Sequence, residues 1–219
     1  MNKKNLPNTL CYIRMAAVPF IMFILLYTDY ICRIFPFKQL SETAFGDMLY
    51  NFFDSANSFS IVIAGIIFIL AMITDALDGH FARKYGVVSE KGKSLDPLAD
   101  KILIIGTILA FYFLDYNPDV QKIMLIPVLV IIIREVVVTM LRSYCAKRYE
   151  VVGAMIWGKI KTVTQTLALI IYFVFEFVHF PLVGQAAIIV ASVVTALSAI
   201  PYFIKFFQII NKQRKSKVK

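Results

Sequence analysis

The chain has 219 residues, 59% of them hydrophobic and 17% charged, with a mean hydropathy of +0.74. That balance is too apolar for an ordinary soluble domain. The formal net charge of +9 suits either nucleic acid or an anionic membrane surface, and the position of the charges, between long apolar runs, argues for the membrane and against nucleic acid.

In chain order, residues 1–11 are basic and polar. Pro7 and Asn8 predict a turn before a short helix at the membrane interface. Lys3 and Lys4 resemble the start of a signal peptide, but no small-x-small cleavage site follows, so the segment is not read as removable. Six apolar segments follow, at roughly 12–37, 58–80, 98–116, 123–147, 160–180 and 182–207. Each has the ~17–25 residues a helix needs to cross the hydrocarbon layer. The predicted class is therefore an all-α integral membrane protein of six transmembrane helices with a short N-terminal interfacial helix. It forms one domain over 1–219, with 1–11 as the interfacial segment and 208–219 as a basic tail.

Arg14, in the first segment, is expected to snorkel to the lipid phosphates. Residues 38–57 read as an external loop without a site. Gly65 and Gly106 predict close helix contacts. Twenty of the 23 Lys and Arg residues fall on one side of a six-span arrangement, with Arg33, Lys38 and Lys122 on the other. The positive-inside rule then puts both termini, and the loop between the second and third spans, in the cytoplasm. Cys11, Cys32 and Cys145 show neither metal spacing nor a disulfide frame and read as small packing residues.

The chemistry concentrates between Thr74 and Lys101. Asp75 and Asp78 close one apolar run, and Asp96 and Asp100 open the next. Acids at such margins are costly without a cation or a proton. Each pair is three or four residues apart and shares one helix face. If the two helices are antiparallel neighbours joined by a short loop over 84–95, the pairs converge. Four carboxylates at close range need a counter-cation, and an all-oxygen set suits Mg²⁺ or Mn²⁺. Two such ions suit in-line phosphoryl transfer. Gly79 allows close approach of a ligand, and Arg83 can fork onto a phosphate. His80 reads as a bystander.

Further along, Arg134 and Glu135 lie inside an apolar helix, where charges face a cavity or a partner. Adjacent helical residues point about 100° apart, so a direct pair between those two is expected to be poor. Arg134, Arg142, Lys159 and Lys161 together could hold an anionic group near the acids. Lys159 and Lys161 cannot share one helix face, so at most one of them is expected to point inward.

The string Asp75-x2-Asp78-Gly79-x2-Ala82-Arg83-x8-Gly92-x3-Asp96-x3-Asp100 resembles the complete signature of the CDP-alcohol phosphotransferase family. Eight fixed positions make it a specific match. Asn5-Leu6-Pro7-Asn8, Arg14, Pro19, Leu95 to Lys101, Arg134-Glu135, Arg142 and Gly158-Lys159-x-Lys161-Thr162-x-x-Gln165 resemble the phosphatidylglycerophosphate synthase branch. Cys11 departs from it, since that branch usually has a threonine there.

The resemblance implies six membrane helices, a homodimer, and a site at the cytoplasmic face of a bacterial plasma membrane. Two Mg²⁺ or Mn²⁺ ions would be held by Asp75, Asp78, Asp96 and Asp100, with Asp100 also the catalytic base. Asn8, Gly79, Arg83 and Ser89 would line the CDP site. The donor would be CDP-diacylglycerol and the acceptor glycerol 3-phosphate; the residues themselves, apart from the resemblance, make Arg134, Arg142, Lys159 and Lys161 the candidate cations for its phosphate. The alternative is a sister enzyme that uses inositol phosphate, serine or phosphatidylglycerol. A membrane prenyltransferase normally carries its two acidic motifs far apart, and a cation transporter would carry acids nearer the bilayer centre.

Overall fold

The computed structural model describes residues 6–34, 48, 55, 57–74, 90–114, 118–148 and 156–217. Side chains are described over 11–28, 57–74, 98–114, 118–145 and 156–211, and at Tyr30, Met48 and Ser55. Among these residues the chain is all-helical. The helices are α1 (Leu6–Ile34), α2 (Asn57–Thr74), α3 (Glu90–Leu114), α4 (Pro118–Arg148), α5 (Ile156–Phe177), α6 (Pro181–Leu197) and α7 (Ile200–Lys217).

Among the described residues, five stretches are long and apolar enough to cross a membrane: Cys11–Thr28, Asn57–Thr74, Pro118–Cys145, Ile156–Phe177 and Pro181–Asn211. The polarity of the fold matches that environment, because it is inverted relative to a soluble protein. Phe20, Ile126 and Leu182 are more than 60% exposed, whereas Arg14, Arg134, Glu135, Lys161 and Gln165 are buried. The protein is a multi-pass membrane protein.

Three elements depart from the sequence-based expectation. Pro7 and Asn8 form no turn; they lie in the first turn of α1, which runs unbroken to Ile34. A proline is tolerated there because its missing N–H has no partner in a first turn. No break within α1 sets off a separate interfacial helix, and residues 1–5 lie outside the described set. Secondly, α3 begins at Glu90, so Gly92 and Ser94 are helical and the expected loop over 84–95 is shorter on that side. Thirdly, the last apolar segment is two helices, interrupted at Ser198 and Ala199. Pro201, in the first turn of α7, cannot donate into a continuous helix, and the Ser198 hydroxyl donates to the Thr195 carbonyl at 2.7 Å.

Packing centres on small residues and aromatics. α1 lies along α3, α5 along α6, and α4 against α3 and α6. A Cβ on Gly106 would strike Val18, a β-branched side chain that cannot easily turn away. A Cβ on Gly184 would come within 2.8 Å of the Tyr172 backbone. Both glycines set how closely their helix pairs approach. Phe111 stacks on Tyr172 with ring centroids 4.1 Å apart, and Phe68 of α2 meets Phe173 of α5 at 5.7 Å. Cys11 and Cys145 are both buried. Between α5 and α6, His179 takes the left-handed conformation (φ 56°) that commonly closes a helix. Pro181 then starts α6 at a position preset for helix.

Candidate active site

The site is assembled where the first halves of α3 and α5, the second half of α4 and the start of α7 meet. Asp100 sits in the third turn of α3, one turn after Asp96, so the two share a helix face. The Nη1 of Arg14 donates to Asp100 Oδ1 at 2.9 Å. Arg14 is 0% exposed. It therefore does not snorkel to the lipid surface; the carboxylate draws the guanidinium into the protein, where a cation is retained only against an anion. Asp100 itself is one-third exposed (34%) and lines a cavity.

That cavity has a volume of about 500 Å³, within the usual range for a small-molecule site. Arg134, Arg142, Lys159 and Lys161 all line it, together with Lys101. Five basic side chains thus face two acidic ones, Asp100 and Glu135, on the described wall. The surplus of positive charge in a partly apolar recess attracts anions.

Glu135 is the hub of this wall. It is buried and accepts from both Lys161 and Arg134, the latter at 3.3 Å. The expectation of a poor pair between neighbours 134 and 135 is corrected here. The angle between adjacent side chains holds at Cβ, but the long arginine stem bends back across it. The other fork of Arg134 donates to Ser198 Oγ at 2.9 Å, and its guanidinium lies 5.7 Å from the centre of the Tyr202 ring. Arg134 is thereby held to the joint between α6 and α7. Of the two lysines on α5, Lys161 is the buried one, and Lys159 is exposed at the rim. Lys101 Nζ donates to Thr139 Oγ1, which bridges α3 and α4.

The structure thus brings Asp100 together with the four cations chosen from the sequence. Asp75, Asp78, Gly79, Arg83 and Ser89 lie outside the described residues, as do the side chains of Asn8 and Asp96. Lys101, Glu135, Ser198 and Tyr202 were not singled out as site residues by sequence. The signal for Lys101 was present, since a lysine beside Asp100 at the start of an apolar run has little else to face. Ser198 and Tyr202 carried no such signal.

The donor set fits hard divalent cations. Asp96 and Asp100 lie one turn apart on α3, and Asp75 and Asp78, which lie outside the described residues, offer in the sequence only carboxylate oxygens. All-oxygen ligation of this kind suits Mg²⁺ or Mn²⁺ and disfavours softer metals.

A family model for CDP-alcohol phosphatidyltransferases matches residues 4–198. A CDP-diacylglycerol–glycerol-3-phosphate 3-phosphatidyltransferase of Bacillus subtilis is 35% identical over 211 residues, covering 94% of this chain and 97% of that protein. Proteins of the same name from Mycoplasma pneumoniae and Rickettsia bellii are similar as well. The first is 36% identical, covering 80% of this chain and 70% of that protein. The second is 31% identical, with 91% and 94% covered. A cationic cavity beside Asp100, in an apolar helical protein, thus coincides with a match over most of the sequence, and the chain belongs to the CDP-alcohol phosphatidyltransferase family.

Proposed function

We propose that this chain transfers the phosphatidyl group of CDP-diacylglycerol to glycerol 3-phosphate, giving phosphatidylglycerol phosphate and CMP. The observation that carries this reading is the cationic cavity beside Asp100. An acidic motif alone would repel a phosphorylated acceptor. Arg134, Arg142, Lys159, Lys161 and Lys101 line a recess that could hold its phosphate. The acceptor hydroxyl then attacks the β-phosphorus. Its proton passes to the Asp100 carboxylate, the new P–O bond forms, and the bond to CMP breaks, with the electron pair leaving on CMP. Arg14 fixes the orientation of Asp100 for that role.

Asp75, Asp78, Asp96 and Asp100 would hold two Mg²⁺ or Mn²⁺ ions, which neutralise charge on the diphosphate when bound. Asn8, Gly79, Arg83 and Ser89 belong to the CDP side of the site in the same reading. A lipid donor reaches such a site laterally between helices. The working unit is one domain and a homodimer.

Purified protein supplied with CDP-diacylglycerol and Mg²⁺ or Mn²⁺ is expected to release CMP with glycerol 3-phosphate, and not with inositol phosphate, serine or phosphatidylglycerol. EDTA is expected to abolish the release, and either metal to restore it. Release driven by another acceptor of the panel identifies a sister enzyme. Full activity in chelator rules out the metal mechanism.

The reading includes six spans, with α3 crossing and α6 and α7 sharing the last crossing, and a cytoplasmic site. Support comes from the 20 of 23 basic residues assigned to one side. A reporter fused after Lys219 is expected to label from the cytoplasm, and one inserted near Asp47 from outside. The reverse pattern overturns the orientation.

A further inference from the structure

Two buried polar atoms belong to residues of the cavity wall and have no hydrogen-bond partner among the described residues: Arg134 Nε and Gln165 Oε1. One is a donor and the other an acceptor. Buried polar atoms are nearly always paired, so each calls for a ligand group. Gln165 is 0% exposed, and its Nε2 is engaged by Thr195 Oγ1 at 2.9 Å. The oxygen is the amide atom without a partner. Two neighbouring acceptor atoms are already engaged: Glu135 Oε1 by Arg134 and Lys161, and Thr139 Oγ1 by Lys101.

Gln165 also lies one helical turn beyond Lys161, on the same face of α5. The rise between them is about 6 Å, a span suited to a small molecule with an anion at one end and a hydroxyl farther along. We propose that Gln165 is a specificity-determining residue that accepts a hydrogen bond from the secondary hydroxyl of the acceptor. The primary hydroxyl gives up its proton in the reaction, and the phosphate offers only acceptors. The secondary hydroxyl is the acceptor's remaining donor, and Gln165 supplies its match. This inference rests on the glycerol 3-phosphate reading above.

The test is kcat/KM for glycerol 3-phosphate against 3-hydroxypropyl phosphate, which lacks the secondary hydroxyl, with CDP-diacylglycerol as donor and the full-length protein. The natural sequence is expected to prefer glycerol 3-phosphate by about tenfold or more, and Gln165→Met to reduce that preference to within about twofold. Methionine keeps the volume and removes the amide. The ratio is taken on one preparation, so the fraction of folded protein cancels. Gln165→Ala gives the same readout if the methionine variant does not accumulate. An active enzyme with no preference, or a preference that survives both substitutions, overturns the role of Gln165 alone. No CMP release with glycerol 3-phosphate overturns the functional reading and this inference with it.

Discussion

Asp100→Asn is expected to lower CMP release at least ~10²-fold while donor binding stays within about tenfold, the scale of losing a positioned general base. Asparagine has nearly the same shape and still offers an oxygen to Arg14 Nη1, so the geometry of the 2.9 Å contact can persist. What disappears is the proton acceptor and the negative charge facing a fully buried guanidinium. Breaking a buried ion pair by removing one partner costs roughly 3–5 kcal/mol. The cost here is expected to be smaller, because Asp100 is 34% exposed and the amide keeps a hydrogen bond. Turnover per folded molecule, with the melting temperature followed in parallel, separates the two effects. Asp75→Asn is expected to weaken donor binding as well. Near-normal turnover for Asp100→Asn eliminates Asp100 as the base.

Arg142→Ala is expected to raise the KM for glycerol 3-phosphate about tenfold or more, the loss of one charged hydrogen bond, and to leave the KM for CDP-diacylglycerol nearly unchanged. Arg142 lines the cavity and is exposed there, and no ion pair to it occurs among the described residues. Its removal therefore disturbs little else. Arg134→Ala is expected to raise the same KM further, up to ~150-fold for a desolvated charged contact. It also carries a folding cost. Arg134 is 7% exposed, and its loss deprives Glu135 and Ser198 of a partner. The two variants differ in a useful way: Arg142→Ala reports on the acceptor alone, and Arg134→Ala reports on the acceptor and the α6–α7 joint together. Equal changes in both KM values for well-folded Arg142→Ala defeat the acceptor assignment.

Much of the cavity wall was legible in the sequence, for a physical reason. Lipid tolerates charge so poorly that an ionisable residue within or beside an apolar run marks itself. Asp96, Asp100, Arg134, Arg142 and Lys161 stand out on that ground, and the helical period alone puts Asp96 and Asp100 on one face. Gly106 was likewise readable as a point of close approach, and Val18 is what approaches it.

Hydropathy and period give a residue's face but not its partner, because the partner depends on the register and tilt of another helix. Arg14 and Asp100 are 86 positions apart, and only the packing of α1 along α3 turns a presumed lipid contact into an ion pair. Lys161 and Glu135 are 26 apart, and only the placement of α5 beside α4 makes Glu135 the anchor of two cations. The break at Ser198 was hidden inside a continuous apolar run, since hydropathy does not register a missing N–H at Pro201 or a hydroxyl that serves Arg134. Composition and period thus determined that this protein lies in a membrane and where its charges gather; the tertiary packing decided which charges are spent on one another and which remain for a ligand.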